Sequence, residues 1–411
     1  MTESVLLNFN KANFKYPTMT ISRKAGIPQG IVIILINMLP MMAIVALMPV
    51  VPAIRDNFKD MPNILTWAPL VLSAPGLCIA LLSPYAGVLT DKLGRRKLLL
   101  IFVTLYGIGG VLPFFMESFP ALMGGRLILG IGEAFLLTIA NTLLGDYFSH
   151  EVRTNWLMIQ GFISSLCGTL LLWASGYLAN IGWQYPFLVY GLAFLISIAA
   201  YFFIFEPEIK AEKPKEAVVS NGKLPFNLII QLCATTLIAS IIYFVYTLQF
   251  SLALDGLGLK REQIGKYSAM ASLAVPIGAL LFKLISNKPM RVQLLIVAIC
   301  IGVGLTGIGM SKSLEMVVAS AWIQQLGCGM VMPVLIAWGL NSLPSEFRGR
   351  GMGLWSSAFF LGQFVSPLFF TAMRSATGSS VNAFVAFGIL CLVLGGVNFI
   401  FGKKEAEILR G

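Results

Sequence analysis

The sequence predicts an all-α membrane protein whose twelve transmembrane helices form two pseudo-symmetric six-helix bundles. Of its 411 residues, 57% are hydrophobic and only 11% are charged, whereas a soluble domain has about 45–50% apolar and about 25% charged residues. The apolar residues fall into twelve runs, and a helix that crosses a bilayer needs about 20 residues. One long polar stretch separates the sixth run from the seventh. This pattern excludes a soluble enzyme, a disordered protein and a nucleic-acid-binding module.

Each apolar run is bounded by charges or by clusters of glycine and proline, which end membrane helices and mark turns. The first six runs cover about 29–54, 64–89, 98–116, 120–145, 154–179 and 186–205, and the second six cover about 226–253, 264–286, 292–310, 315–341, 351–373 and 383–402. We therefore expect a cytoplasmic N-terminal segment at 1–25, a first bundle at 26–205, a cytoplasmic linker at 206–224, a second bundle at 225–402 and a cytoplasmic tail at 403–411.

The two sets of runs resemble diverged copies of one another. Three residues of the first set recur in the second set at the same number of positions along the chain. Two of the three, a Glu and an Arg, form a Glu-x-Arg triplet that follows the fourth run of each set. Chance identity is the alternative, because glycine is common here. Duplicated six-helix halves are typical of one class of secondary transporters, whose substrate site lies between the halves near the middle of the membrane. The matching pairs are Gly132 and Gly327, Glu151 and Glu346, and Arg153 and Arg348.

The formal net charge of +11 has two interpretations, an affinity for nucleic acid or retention of Lys and Arg on one side of a membrane. When the loops are assigned alternately to two sides, one side carries three times as many Lys and Arg residues as the other. This asymmetry favours the second interpretation. By the positive-inside rule, both termini, the linker and the loop at 90–97 lie in the cytoplasm, and we expect a multi-pass protein of the cytoplasmic (inner) membrane.

Metal and catalytic chemistry have little support in the sequence. His150 is the single histidine, which excludes His-based metal sites and a Ser-His-Asp triad. The six cysteines all lie inside apolar runs with no short pairing motif, so they are predicted to be small core residues. We expect no metal, no catalytic residue and no cofactor, with a proton gradient as the driving force.

The loop between the second and third runs carries the most specific motif. Its sequence, GVLTDKLGRRK from Gly87 to Lys97, resembles the signature G-x-x-x-D-x-x-G-R-[RK]-[RK] of the major facilitator superfamily at every defining position. The resemblance extends over nearly the whole chain, because that family has twelve spans, a central cytoplasmic linker and a six-plus-six repeat. It implies the major facilitator fold and a transport function.

In the family this loop acts as a cytoplasmic gate, in which an Asp and the first Arg pair with an acidic residue at the end of the fourth span and with the start of the eleventh. The start of the eleventh span corresponds to Gly351–Gly353. Independently, glycine allows close helix approach and tight turns, and a carboxylate is a natural partner for an arginine or a helix N-terminus. A role in topology alone is the alternative for the basic residues. The predicted gate comprises Gly87, Asp91, Gly94, Arg95, Arg96, Lys97 and Asp146.

Two charges lie unusually deep in the fourth run. Arg126 and Glu133 are seven residues apart, so they share one helix face. An ionised group at this depth costs about 2.5–3.5 kcal/mol on insertion scales, so Glu133 should face a hydrated cavity and have a partner, for which Arg126 is the nearest candidate. We predict that the pair couples transport to protons; a structural pair is the alternative.

The sequence around these charges also resembles two groups within the superfamily. The Arg-x-x-x-Gly pattern at Arg126 is similar to a fourth-span motif whose arginine is implicated in proton coupling. The Gly132-Glu133-Ala134 segment resembles spinster-type lipid transporters, in which that Glu is the proposed protonation site. The fifth run lacks the Gly-Pro signature that drug–proton antiporters usually carry. Antiport of drugs and lipid transport therefore both stay open.

Polar, aromatic and methionine side chains elsewhere in the runs are candidates for a substrate cavity, because such a mixture suits an adaptable pocket for amphiphilic molecules. Helix packing with occasional hydrogen bonds explains them equally well. The candidates are Asn37, Met38, Met41, Met42, Tyr243, Tyr246, Gln249, Gln324, Gln325, Trp355 and Gln363.

Taken together, these observations predict a monomeric secondary transporter that works by alternating access and exports small amphiphilic organic compounds, such as drugs or a siderophore-like metabolite, in exchange for protons. A lysolipid or sphingolipid-type transporter is the second hypothesis. An intramembrane enzyme is a remote third, because no deep nucleophile–base pair is present.

Overall fold

The computed structural model describes residues 25–207, 226–343 and 348–401. In this part of the chain there are twelve helical segments long and apolar enough to cross a membrane, and each coincides with one of the predicted runs. The prediction of an all-α, twelve-span membrane protein is confirmed. Most of the predicted N-terminal segment, linker and C-terminal tail lies outside the described residues.

The spans, numbered 1 to 12 in chain order, cover Ile27–Asn57, Ile64–Thr90, Arg95–Phe115, Phe119–Tyr147, Glu151–Ile181, Tyr185–Phe203, Phe226–Asp255, Arg261–Ile285, Met290–Met310, Leu314–Ser342, Gly351–Thr377 and Ser380–Phe401. Spans 1–6 are called the N-half and spans 7–12 the C-half. The end of the bundle where span 6 finishes and span 7 begins is called the linker face, and the opposite end the distal face.

Four spans are not continuous α-helices, and one of them, span 3, ends in a 3₁₀ segment at Leu112–Phe115. Span 1 consists of an α-helix at Ile27–Val45, a 3₁₀ turn at Met48–Val50 and a short helix at Val51–Asn57. Prolines begin both later pieces, as expected from a residue with no backbone N–H and a fixed φ. Span 6 starts with a 3₁₀ segment at Tyr185–Gly191, and span 8 is interrupted at Leu273. The breaks in spans 1 and 6 lie close to the buried arginine described below.

The packing of the N-half is repeated in the C-half. Span 4 packs on spans 2 and 3, and its counterpart span 10 packs on spans 8 and 9. Span 3 contacts span 6 as span 9 contacts span 12, and span 1 contacts span 5 as span 7 contacts span 11. Glycines allow several of these approaches, since small residues let membrane helices pack closely. The two bundles are therefore pseudo-symmetric.

The most extensive contacts between the halves are made by two pairs of spans, span 2 with span 11 and span 5 with span 8. In the first pair, the Thr66 and Thr371 hydroxyls are 3.0 Å apart. In the second, a Cβ atom on Gly176 would lie 2.7 Å from the Cα of Gly265, and the Arg261 guanidinium donates to the Ala179 carbonyl at 3.2 Å. These contacts all lie in the distal part of the bundle.

Toward the linker face the facing spans are open. None of the residues 151–167 of span 5 whose side chains are described is buried. Phe162 is 74% exposed, and Leu280 and Leu284 near the end of span 8 are 74% and 72% exposed. The cleft between the halves therefore opens to the linker face and is closed at the distal face.

Adjacent glycines in span 4 give a matched test of helix packing. A Cβ atom on Gly125 would lie 2.9 Å from the Gly109 carbonyl oxygen of span 3, whereas a Cβ on Gly124 would meet no atom within 4 Å. We expect Gly125→Ala to destabilise the protein by about 1–3 kcal/mol, as overpacking does. Gly124→Ala should be neutral or stabilising by up to about 1 kcal/mol, from helix propensity. Thermal unfolding in detergent measures both, and equal melting temperatures would contradict this packing.

Candidate functional site

Arg126 is the most completely enclosed charge among the described residues. Its side chain is 0% exposed and its guanidinium donates from three nitrogens, to the Val71 carbonyl at 2.9 Å, to the Ala43 carbonyl at 2.5 Å and to the Tyr190 hydroxyl at 3.2 Å. It also lies over the Tyr190 ring, 5.5 Å from the centroid. This one side chain therefore connects span 4 to spans 1, 2 and 6.

Two buried tyrosines complete this arrangement. The Tyr190 hydroxyl donates to the same Ala43 carbonyl at 3.0 Å, and the Tyr106 hydroxyl of span 3 donates to the Leu39 carbonyl at 2.5 Å. Ala43 lies in the last turn of the first helix of span 1, which ends at Val45, so its carbonyl is one of those that lack an intrahelical donor. Sequence reasoning missed both tyrosines, because an isolated tyrosine in an apolar run has no distinguishing pattern.

Glu133 lies two helical turns further along span 4 and is 1% exposed. Its Oε2 atom is buried and accepts no hydrogen bond from the described residues. Neighbouring glycines bring it close to other spans: a Cβ on Gly130 would meet Pro75 of span 2, and one on Gly132 would lie 3.0 Å from the Tyr106 amide of span 3. Glu133 therefore faces the interior of the N-half.

The sequence names Arg126 as the nearest candidate partner of Glu133, either directly or through water. Arg126 interacts electrostatically with Glu133, but its hydrogen bonds go to carbonyls and Tyr190, and no ion pair joins the two among the described residues. Burial without a hydrogen-bond partner makes the free energy of the Glu133 carboxyl depend strongly on whether it carries a proton. This is the property that a proton-carrying group requires.

At the linker face, three of the predicted gate residues lie together. Arg95 forms an ion pair with Asp146 at the end of span 4, which is the pairing implied by the motif. Gly94 has a φ of +89°, a conformation that glycine adopts without strain. It ends the helix of span 2 and precedes the helix of span 3.

Glu206, just after span 6, joins this group although the sequence interpretation assigned it to the linker. Its two carboxylate oxygens accept hydrogen bonds from the backbone amides of Arg95 and Arg96 at 2.6 and 2.8 Å. A carboxylate at a helix N-terminus binds free N–H groups and interacts favourably with the helix dipole. Glu206 thus holds the start of span 3, and no local pattern in the sequence indicated this.

The remaining gate residues are placed differently. The Arg96 side chain donates to the Tyr201 carbonyl at 2.8 Å, and Lys97 is exposed. The Asp91 side chain lies outside the described residues. At Gly87 the expected close helix approach is absent from the described structure, since a Cβ there would meet only a Thr138 methyl group at 4.0 Å.

The N-half cavity candidates lie on spans 1 and 5. The Asn37 amide donates to Gln160 Oε1 at 3.1 Å, and the Met41 methyl group would lie 3.1 Å from a Cβ placed on Gly168. Met42 is buried in the N-half core, and Met38 is buried but does not belong to that core. Asn37 and Met41 therefore line the interface of spans 1 and 5, and Met42 serves packing.

The C-half candidates come together from three spans. Tyr243 packs on Phe359, with ring centroids 5.9 Å apart, and Trp355 stacks on the same phenylalanine at 5.8 Å. Gln324 donates to the Cys328 sulfur at 3.0 Å. Four of the candidates are buried and carry a polar atom that has no hydrogen-bond partner among the described residues, while Tyr246 interacts with Gln325. The four are Gln249, Gln324, Trp355 and Gln363.

Charged side chains close the distal face. The Arg55 guanidinium at the end of span 1 lies 2.8 Å from the Asp255 carboxylate at the end of span 7. Arg55 also contacts Asp56 at 2.6 Å, and Asp56 lies 3.6 Å from Arg261 at the start of span 8. The four residues form a continuous chain of alternating charge that joins the two halves.

Comparison with known proteins identifies this architecture. The sequence profile of the Major Facilitator Superfamily matches residues 33–311 and 232–408, which together include all twelve spans. The chain belongs to the major facilitator superfamily. It is accordingly a multi-pass membrane transporter and not an enzyme.

Its relatives within the superfamily are distant. The chain is 25% identical to YyaJ of Bacillus subtilis (strain 168), named as a proposed metabolite transport protein, over 72% of this chain and 74% of that protein. It is 27% identical to the class E tetracycline resistance protein of Escherichia coli, over 40% of this chain and 42% of that protein. These similarities identify the transporter family and leave the substrate open.

Among solved structures, a bacterial homologue of the human lysosomal transporter spinster, crystallised in an inward-facing and occupied conformation, superposes with a TM-score of 0.74. The match covers 91% of this chain and 96% of that one at 16% identity. At this identity the match establishes the major facilitator fold alone.

The role of Glu206 at the start of the span 3 helix can be tested by comparing it with a second acidic residue that lacks these hydrogen bonds. We expect Glu206→Gln to lower the free energy of unfolding by about 1–2 kcal/mol, because two charge-assisted hydrogen bonds to the helix N-terminus lose their charge. Glu117→Gln, at an exposed position in the distal loop after span 3, is the control. Thermal unfolding in detergent at low salt measures the difference. Equal effects of the two substitutions would refute the cap.

The distal ion-pair chain predicts a shift in conformational equilibrium. Asp255→Lys places a like charge beside Arg55, so the distal face should open more often; partly exposed pairs of this kind contribute about 0.2–1 kcal/mol each. Opening is read as faster alkylation of a Thr66→Cys reporter after the six native cysteines are replaced. The double exchange Arg55→Asp with Asp255→Arg should restore the slow rate. A labelling rate that stays the same in both variants would exclude a role of these ion pairs in closing the distal face.

Proposed function

We propose that this transporter exports small amphiphilic organic compounds in exchange for protons, with Glu133 as the residue that carries the proton. The observation that carries the proposal is the burial of this carboxyl in the middle of span 4, with its Oε2 atom lacking a hydrogen-bond partner among the described residues. Ionisable residues inside a membrane bundle are costly, and they typically mark ion or substrate pathways. Glu133 is the only buried acidic residue among the described residues.

Arg126 has a supporting role in this proposal. Each of its three guanidinium nitrogens donates to a carbonyl or to Tyr190, and the side chain forms no ion pair with Glu133 in this structure. It still contributes a positive potential at Glu133. Arg126 also links spans 1, 2 and 6, so a change of charge at Glu133 acts on a connected bundle and not on one helix.

The difference between the closed distal face and the open linker face supports transport by alternating access. In this structure the distal ion pairs are formed and the cleft is open to the linker face. In the opposite state the distal pairs would separate while the halves meet at the linker face, where Arg95, Asp146 and Glu206 hold the loop between spans 2 and 3 in place. Motion of one repeat against the other around a fixed site is the general mechanism of such transporters.

The proposed setting is the cytoplasmic (inner) membrane, with both termini and the linker face on the cytoplasmic side. The excess of Lys and Arg on the linker-face loops supports this orientation. We propose a monomer that needs no cofactor and is driven by the proton gradient. The similarity to a tetracycline resistance protein supports export of a drug-like compound as the direction of transport.

Lipid transport is the second candidate function. The Gly132-Glu133-Ala134 segment places an acidic residue between two small ones in span 4, as in spinster-type proteins. Both candidates use Glu133 as the proton carrier, so they differ only in the substrate.

Proton coupling is tested in proteoliposomes that hold a pH-sensitive dye. A gradient of a transported compound, found by screening lipophilic dyes and lysolipids, should change the internal pH with wild-type protein. Glu133→Gln, which preserves size but carries no exchangeable charge, should lower this proton flux at least about 100-fold, since the coupled step requires ionisation. Glu117→Gln, on the exposed distal loop, should retain the flux.

Two outcomes would contradict the proposal. A substrate-driven pH change that survives Glu133→Gln would exclude Glu133 as the proton carrier. Transport of a lysolipid with no transport of any soluble dye would exclude the export of small compounds and favour the lipid alternative.

A further inference from the structure

Two basic residues at the start of span 3 take no part in the ion pair of the linker-face loop. Arg95 pairs with Asp146, and both carboxylate oxygens of Glu206 accept hydrogen bonds from backbone amides. Among the described residues, neither Arg96 nor Lys97 forms an ion pair. Their positive charges are therefore available to a partner outside the protein.

The Arg96 side chain is held at the edge between spans 3 and 6. Its Nη2 atom donates to the Tyr201 carbonyl at 2.8 Å, and the guanidinium lies 5.5 Å from the centroid of the Tyr201 ring. Tyr201 and its neighbour Phe202 are both exposed. Exposed aromatic side chains near the end of a span are typical of the membrane–water interface. This edge therefore lies at the depth of the lipid headgroups.

An open groove runs along span 3 on the side of Lys97. It has a volume of about 410 Å³. Lys97, Ile101 and Ile108 are spaced by four and seven residues, so they share one helix face, and all three are exposed. The main neighbours of span 3 are spans 2, 4 and 6 of the same half, so this face is turned to the lipid. The groove is lined by Leu100, Ile101, Thr104, Leu105 and Ile108.

The groove is apolar apart from one hydroxyl that already has a partner. The Thr104 hydroxyl lies 2.9 Å from the Ser197 hydroxyl of span 6, and one donates to the other. Beside it, a Cβ atom on Gly107 would lie 3.0 Å from the Phe194 ring, so spans 3 and 6 meet closely there. In a bilayer such a surface is covered by hydrocarbon, which packs against it through van der Waals contacts.

We propose that an anionic phospholipid of the linker-face leaflet binds at this edge of spans 3 and 6. Its phosphate contacts Arg96 and Lys97, and one acyl chain lies along the groove from Leu100 to Ile108. Guanidinium groups suit phosphate oxygens, and basic residues at the ends of membrane helices attract anionic headgroups. A zwitterionic lipid is disfavoured, because its own ammonium group would meet the same two cations. This site lies outside the cleft between the halves and does not depend on the proposed proton coupling.

The test is native mass spectrometry of the full-length protein released from detergent. The probes are dioleoyl phosphatidylglycerol, which is anionic, and dioleoyl phosphatidylcholine, which is zwitterionic and has the same chains. Phosphatidylglycerol should bind at least about tenfold more tightly, since each basic residue contributes about fivefold. An excess of glycerophosphoglycerol, the same headgroup without chains, should not displace it.

Charge variants locate the headgroup. Arg96→Gln and Lys97→Gln should each weaken phosphatidylglycerol about fivefold and leave phosphatidylcholine unchanged. Lys288→Gln removes the same charge from an exposed position in the linker-face loop between spans 8 and 9 and should have no effect. Lys97 makes no hydrogen bond or ion pair within the described chain, so its substitution leaves the fold intact, and thermal unfolding verifies this for every variant.

A groove variant locates the acyl chain. Ile101→Trp places a large ring in the space of the chain and should weaken phosphatidylglycerol about fivefold or more, because the chain loses its packing surface. Ile389→Trp, at an exposed position of span 12, is the matched control and should leave the affinity unchanged.

Four results would overturn this assignment. They are equal affinity for the two lipids, displacement by glycerophosphoglycerol, unchanged affinity in both folded charge variants, and equal effects of the two tryptophan substitutions. Displacement by the free headgroup would indicate a soluble phosphate ligand instead of a lipid. The assay contains no proton gradient, so its outcome is independent of the Glu133 experiment.

Discussion

The arrangement of spans 1, 2, 4 and 6 in the N-half depends on the hydrogen bonds that the buried Arg126 guanidinium donates. An isolated cation at this depth is costly, and the structure satisfies it with two backbone carbonyls and one tyrosine hydroxyl instead of a carboxylate. Those acceptors lie on spans 1, 2 and 6, so satisfying one side chain fixes the relative positions of four helices. The break in span 1 after Val45 lies next to one of the carbonyls that accept these bonds.

The neutral hydrogen-bond acceptors of Arg126 leave Glu133 outside any direct ion pair with this arginine. Because Arg126 is satisfied by neutral groups, Glu133 keeps a carboxyl oxygen without a partner and can respond to a proton. Among the described residues the buried charged side chains lie in the N-half, while the C-half buries neutral amides and aromatic rings. Pseudo-symmetric bundles with the same packing thus bury different kinds of polar side chain.

The two ends of the bundle are held by different kinds of contact. The distal ion pairs join the two halves and are partly exposed, with Arg55 and Asp255 at 27% and 24% side-chain exposure, so each contributes little and separates readily. The linker-face loop combines an ion pair with hydrogen bonds that the Glu206 carboxylate accepts at a helix N-terminus, and all of these contacts lie within the N-half. Contacts that separate between the halves and contacts that persist within one half allow the halves to move as units.

The sequence by itself determined the number of spans, the doubled architecture and the family, because bilayer thickness fixes the length of apolar runs and the loop from Gly87 to Lys97 carries a specific motif. It also singled out Arg126 and Glu133, since charge is rare in such runs. Only the tertiary structure decided their partners. Backbone carbonyls leave no mark in a sequence, and Tyr190, Glu206 and Asp255 acquire their roles from residues far away along the chain.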